Sequence, residues 1–178
     1  MKRNLSIAQR GVSLIEHVVT LSIISTVVGT VAPAFSQSRD RHSLRGAAGE
    51  LETEIQWARS SAVARNERVR FSFQSNVDSS CYVVHTGNAG ACTCAGSEAA
   101  ICAGGAKALR SVHLGPDARV SVRANSSFSF DPHLGTVTPT ATVELRNRRD
   151  EVVKLVVNIM GRVRSCTPTA GLEGYPAC

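Results

Sequence analysis

The stretch GVSLIEHVVTLSIISTVVGTVAPAF, residues 11–35, decides the architecture. From Val12 to Phe35 its only ionisable residues are Glu16 and His17. At ~1.5 Å per residue, about 20 helical residues span a hydrocarbon layer, so this run is long enough to cross. Lys2, Arg3 and Arg10 precede it, which predicts a cytoplasmic N-terminus and a C-terminal body on the far side of the membrane. A secretory signal places its small-residue cleavage site after the apolar run. Here the candidate junction, between Gly11 and Val12, lies before it, so the helix is expected to be kept.

The apolar spacing then changes. Leu44, Ala47, Ala48, Leu51, Ile55, Ala58 and Ala62 recur every three to four residues, a buried stripe on an amphipathic helix reaching about Arg65. Pro33 is expected to bend that helix rather than end it. After Asn66 the period falls to two. RVRFSF (68–73) alternates Val69, Phe71 and Phe73, and CYVVHT (81–86), ALRSVHL (108–114), RVSVRA (119–124) and SSFSF (126–130) read as further short strands. TATVELRN (140–147) and EVVKLVVNIM (151–160) flank NRRD (147–150), a hairpin pattern. Val153, Leu155, Val157 and Ile159 are expected to share the inward face of the last strand. Residues 86–106 have no periodicity and read as a loop stapled by disulfides. The fold class is α+β, a long N-terminal helix packed on an antiparallel β-sheet head.

Composition narrows the function. The chain has 178 residues, 20 basic and 14 acidic, for a net charge of +6. Lys2, Arg3 and Arg10 all precede the apolar run, and without them the remainder is only mildly basic, soft support for an anionic partner. Nearly all the basic residues are arginine, which fits phosphate recognition and equally fits a GC-rich genome. The six cysteines, Cys81, Cys92, Cys94, Cys102, Cys166 and Cys178, are an even set beside a membrane segment and suggest disulfides in an oxidising compartment. Zinc is the rival, but Cys92, Cys94 and Cys102 lack paired CxxC spacing and have no close histidine. Neither a metal nor a cofactor is expected.

Nothing in the sequence announces catalysis. It contains no nucleophile elbow, no metalloprotease helix, no P-loop and no dinucleotide glycine pattern. His85, His113 and His133 lack carboxylates at metal spacing, and Asp131 before Pro132 reads as a turn former.

The junction and helix resemble the prepilin signal of type IV pilins and type II secretion pseudopilins. Gly11 stands as the last leader residue, Val12 as the first mature residue and Glu16 as the fifth. The resemblance implies a prepilin peptidase that cuts after Gly11 and methylates the new Val12 amine. It also implies that Glu16 meets the Val12 amine of a neighbouring subunit during filament assembly. A carboxylate inside a membrane helix is costly unless paired, which agrees. His17 departs from the aliphatic residue usual there. FDPHLGTVTP (130–139), the strand pair after it, and NIMGRVRSC (158–166) together resemble the FimT/GspH subgroup of minor pilins. The implied division is a leader at 1–11, a transmembrane half-helix at 12–35, an amphipathic half at 36–66, a β-rich head at 67–165 and a disulfide-closed tail at 166–178. The implied location is the bacterial inner membrane, single-pass with a periplasmic head, and the assembled pilus at the cell surface, with other pilins as partners.

The end of the chain carries the functional reading. Extending the last strand through Gly161 places Arg162 and Arg164 on the face of Lys154 and Asn158, about 6.6 Å apart at ~3.3 Å per residue. Two guanidiniums so spaced can each clamp a backbone phosphate. Gly161 is expected to allow close backbone approach. GRVR (161–164) also matches the GRxR tail motif of FimT-type pilins, which implies binding of DNA for natural transformation. Nothing in the sequence resembles a helix placed to read a groove, so binding without sequence preference is expected. Double-stranded DNA is the expected cargo, with single strands left open. A Cys166–Cys178 bridge around CTPTAGLEGYPAC (166–178) is expected to hold this segment in shape, with the other four cysteines paired among themselves. Alternatives stay open: Arg162 and Arg164 as a solvated strand end or paired with Glu173, a GspH-like pseudopilin of a type II secretion system, or a purely structural pilus-initiating subunit.

Overall fold

The computed structural model describes residues 13–76, 79–95, 99–115, 117–169 and 172–178, with the side chains at 30–34, 95 and 99 excepted. Gly11, Val12 and the leader lie outside this set. Helix α1 spans Leu14–Arg65. The chain divides into two compact units, Met1–Ser38 and Arg39–Cys178.

The first unit is helical from Leu14 onward and leaves its large apolar side chains exposed, among them Leu14, Ile15, Leu21, Ile24 and Val28. The hydroxyls of Thr20, Ser22, Ser25 and Thr26 donate to carbonyls three or four residues earlier in the same helix. Such back-bonding lets polar side chains sit on an apolar helix without an external partner. Among the described residues no helix is long and apolar enough to cross a membrane. The 12–35 span therefore rests on the sequence, since Val12 and the side chains at 30–34 fall outside the described set.

The second unit joins the rest of α1 to the strands β1 (Val69–Ser75), β2 (Ser80–Thr86), β3 (Cys92–Ala95), β4 (Ala99–Cys102), β5 (Ala108–Leu114), β6 (Val120–Ala124), β7 (Phe128–Phe130), β8 (Val137–Thr138), β9 (Ala141–Asn147), β10 (Val152–Val157) and β11 (Val163–Cys166). They form a five-stranded sheet in the order β5-β2-β1-β7-β8, a four-stranded sheet in the order β11-β10-β9-β6, and a β3-β4 hairpin. The pairings are antiparallel.

The core is where the helix stripe meets both sheets. Leu44, Leu51, Ile55, Ala58 and Ala62 are buried against Val69, Phe71, Phe128 and Phe130 of one sheet and Val143, Val153, Leu155 and Val157 of the other. Phe71 and Phe128 stack with ring centroids 4.9 Å apart. Each fully buried side chain of this size contributes about 1.5–3 kcal/mol. Small alanines at 48, 58 and 62 let the helix approach the sheets closely. Ion pairs hold the margins: Arg119 and Arg149 both reach Asp40, at 2.7 and 3.5 Å, and Arg41 reaches Glu151 at 2.8 Å.

Two expectations need correction. The 86–106 stretch contains the β3-β4 hairpin, with Cys92 opposite Cys102. Its strands lack alternation because disulfides Cys81–Cys94 and Cys92–Cys102 tie it in place of a buried apolar face. Ile159 does not share the inward face of Val157: β10 stops at Val157, and Ile159 is 59% exposed in the turn that follows.

Candidate functional site

The arginine pair is positioned by a turn, not by continuation of β10. Gly161 N donates to Asn158 O at 2.9 Å, and Asn158 N donates to Arg162 O at 3.1 Å. The Asn158 side chain closes the turn by accepting from Arg162 N at 2.9 Å. The chain then returns as β11 alongside β10, with Val156 opposite Arg164 and Lys154 opposite Cys166. Paired positions of antiparallel strands point to the same side. Arg164 therefore shares the outer face with Lys154 and Val156, while Val163 is buried inward.

Gly161 is buried and has φ +73°, a left-handed conformation that glycine adopts without strain. Its close approach is to the protein itself: a Cβ there would stand 3.0 Å from Arg59 Nε and 3.0 Å from Gly135 O. Arg59 Nε in turn donates to Gly135 O at 3.0 Å. Gly161 thus shapes the turn that presents the arginines and is itself buried.

Arg162 and Arg164 are exposed, and among the described residues neither pairs with a carboxylate. Glu173 takes part through its backbone, its carbonyl accepting from Arg45 Nη2 at 2.7 Å. Lys154 is not free: its Nζ lies 2.7 Å from Glu144 Oε1 on the neighbouring strand.

Behind the arginines the tail is pinned. Cys166 and Cys178 are bonded, with Cα atoms 4.9 Å apart. Thr167 N donates to Pro176 O at 2.9 Å and Cys178 N to Thr167 O at 3.2 Å. Thr167 Oγ1 donates to Val152 O at 2.6 Å, tying the tail to β10. Leu172 is buried in the core and Tyr175 packs against it, where burial pushes the Tyr175 phenol up.

The remaining predicted residues are dispersed. Glu16 is exposed in the first turn of α1. His85 is fully buried, with Ser72 Oγ 2.8 Å from one ring nitrogen and Thr86 O 2.9 Å from the other. Asp131 Oδ1 accepts from His133 N and Leu134 N at 2.9 and 3.1 Å. Those backbone donors hold its carboxyl below the usual carboxylate range. All six cysteines are in disulfides.

The sequence reading missed Arg123. It lies directly across from Glu144 in the β6–β9 pairing, on the same outer face as Arg164. The alternation of RVSVRA marked it as outward-facing, but nothing local says which strand lies beside β6.

Residues 47–161 match the family model described as type II transport protein GspH. The crystal structure of the type IV minor pilin FimU from Pseudomonas aeruginosa is similar at 22% identity and a TM-score of 0.47, covering 70% of this chain and 88% of that one. No curated protein matches the sequence.

Proposed function

Because this chain belongs to the family of the type II transport protein GspH, we propose that it is a minor pilin whose tail arginines bind extracellular DNA without sequence preference, for uptake in natural transformation. The observation that carries this reading is the exposed pair Arg162 and Arg164, without a carboxylate partner among the described residues, on a turn locked by Gly161 and Asn158. A guanidinium presents a planar fork of donors that fits phosphate oxygens. Two such forks on a rigid turn lose little freedom when they bind. Among the described residues the one helix, α1, packs its stripe against the sheets and is not placed to read a groove, so the contacts are to the backbone.

The chain reaches this task by prepilin maturation: cleavage after Gly11, methylation of the Val12 amine, and neutralisation of Glu16 against a neighbouring subunit in the filament. The apolar half-helix anchors it in the inner membrane until assembly, with the head in the periplasm. Modest affinity per subunit suffices where several heads act together.

The test is a fluorescence-anisotropy titration of a short labelled duplex with the full chain in nonionic detergent, at several salt concentrations. With two to four phosphates neutralised, log K should fall against log salt with a slope of about −2 to −4. Arg162→Gln/Arg164→Gln should reduce that slope by about 2. Equal binding by the two proteins would remove the DNA reading. The family description itself favours a second reading, a pseudopilin of a type II secretion machine, which is what such a result would leave.

A further inference from the structure

The pairing registers place more than the tail on one surface. In the four-stranded sheet, Arg164 lies beside Val156, and Val156 beside Thr142. The adjoining row runs Cys166, Lys154, Glu144, Arg123. These positions alternate with the buried Val153, Leu155, Val143, Leu145 and Val122, so they form one continuous outer face. Across it, Glu144 is taken by Lys154, and Arg146 by Asp150 at 3.0 Å. Arg162, Arg164 and Arg123 have no carboxylate partner among the described residues. Unpaired cations thus stand at both edges of the sheet, with an internally neutralised strip between them.

At the Arg123 edge the face opens into a cleft of about 500 Å³ whose walls include Arg146, Arg148, Ser79 and Ser121. Arg148 donates to the backbone carbonyls of Asp117 and Ala118, and among the described residues it pairs with no carboxylate. Leu114, Val120 and Val122 also line the cleft, as does Glu144, whose carboxylate Lys154 takes. Among the described residues the guanidiniums of Arg123 and Arg148 are the charges left without a carboxylate on its walls, and they suit an anion.

We infer that the bound polyanion crosses the whole outer face of this sheet, from Arg162 and Arg164 on the β11 side to Arg123 at the β6 cleft. Three inter-strand spacings of ~4.8 Å make that face about 14 Å wide. One further two-residue step along the strands, about 6.6 Å, separates the row of Arg164 from that of Arg123. A duplex advances ~3.4 Å per base pair, so a path of roughly 16 Å covers about five base pairs. The tail arginines and Arg123 then hold separate phosphates, and each adds its own counterion release.

This inference rests on the DNA reading and is tested so that the two can fail separately. Full-length wild type, Arg123→Gln, Arg123→Lys and Arg162→Gln/Arg164→Gln are titrated in nonionic detergent against the same labelled duplex over a range of salt. The expected result is a slope lowered by about 0.9 in Arg123→Gln and restored in Arg123→Lys, beside a loss of about 2 in the tail variant. A tail-variant loss with an Arg123→Gln slope equal to wild type overturns the sheet-wide path and leaves the tail reading standing. No change in any variant overturns both. A loss in Arg123→Gln that Arg123→Lys fails to restore also overturns the inference, because a phosphate contact needs only the charge.

Discussion

Arg59 of the helix is clasped between two left-handed glycines: its Nε donates to Gly135 O, and the same atom lies 3.0 Å from where a Cβ on Gly161 would stand. The turn carrying Arg162 is therefore built against α1, and Val137 N donating to Ile159 O at 2.8 Å joins it to the turn at Gly135. Gly161→Ala must accept φ +73° and also displace Arg59 or the Gly135 carbonyl. The expected cost is about 1–3 kcal/mol, read as a lower urea midpoint, together with weaker DNA binding. Gly174→Ala is the control: it shares the positive φ, +91°, but has nothing within 4 Å of the added carbon. If the two substitutions cost the same, crowding by Arg59 plays no part.

The second prediction concerns acid. Donation from Arg119 to Asp40, with Arg149 adding to it, holds the Asp40 carboxyl below its ordinary value of 3.8. A carboxyl whose folded value is depressed stabilises the fold fully above its unfolded value and loses that contribution as pH falls through the folded value. The head should keep its Asp40 contribution down to about pH 4 and lose it below. Asp40→Asn should lower stability at neutral pH and flatten the acid limb. Denaturant midpoints measured from pH 7 down to pH 2 check this, and an unchanged acid limb would show that Asp40 does not couple to folding.

Legibility followed the locality of each signal. The helix stripe from Leu44 to Ala62 and the alternation of Val69 and Phe71 are local patterns with one physical cause, burial on one side, and the structure buries those residues, Ala47 only partly. The β9-β10 hairpin was readable because NRRD is polar and the flanking strands alternate. The return at Asn158–Arg162 was not, because Ile159 and Met160 prolong the apolar run of β10 into an exposed turn. Gly161 was singled out, but its reason is a long-range neighbour, Arg59, about which spacing says nothing. The same holds for Lys154: its partner Glu144 is set by strand register, and a chain read in one dimension has no register. The β3-β4 hairpin escaped notice because disulfides hold it.

The tail offers a third prediction, since two independent devices hold it. Closing a loop of about a dozen residues with a disulfide removes roughly 3 kcal/mol of unfolded-chain entropy. Leu172 is 4% exposed and anchors the same loop through the core. Cys166→Ser/Cys178→Ser should lower stability by about 3 kcal/mol, and Leu172→Ala with the bridge intact by about 2 kcal/mol, the low end for a leucine on a loop that can settle inward. Both variants keep Arg162 and Arg164, so each should bind DNA more weakly than wild type but more tightly than Arg162→Gln/Arg164→Gln. Thermal melts and the anisotropy assay read the two effects separately. Full loss of binding in Leu172→Ala would mean that tail placement, rather than the guanidinium charge, dominates recognition.

The last prediction is a gain. Lys154 and Glu144 neutralise each other at 2.7 Å with about a third of each side chain exposed, at 32% and 36%. A pair this exposed contributes about 0–1 kcal/mol, so removing its acid should hardly move the melting temperature. Glu144→Gln frees the ammonium and deletes the only carboxylate in the row between Cys166 and Arg123. If DNA crosses this face, one more phosphate finds a cation and one repulsion disappears. Affinity should rise by roughly 3–10-fold at moderate salt, and the salt slope should steepen by about 0.9. A gain cannot be produced by unfolding, which makes this variant a cleaner probe than any loss. Binding that stays at the wild-type level, with an unchanged slope, would confine the polyanion to the tail.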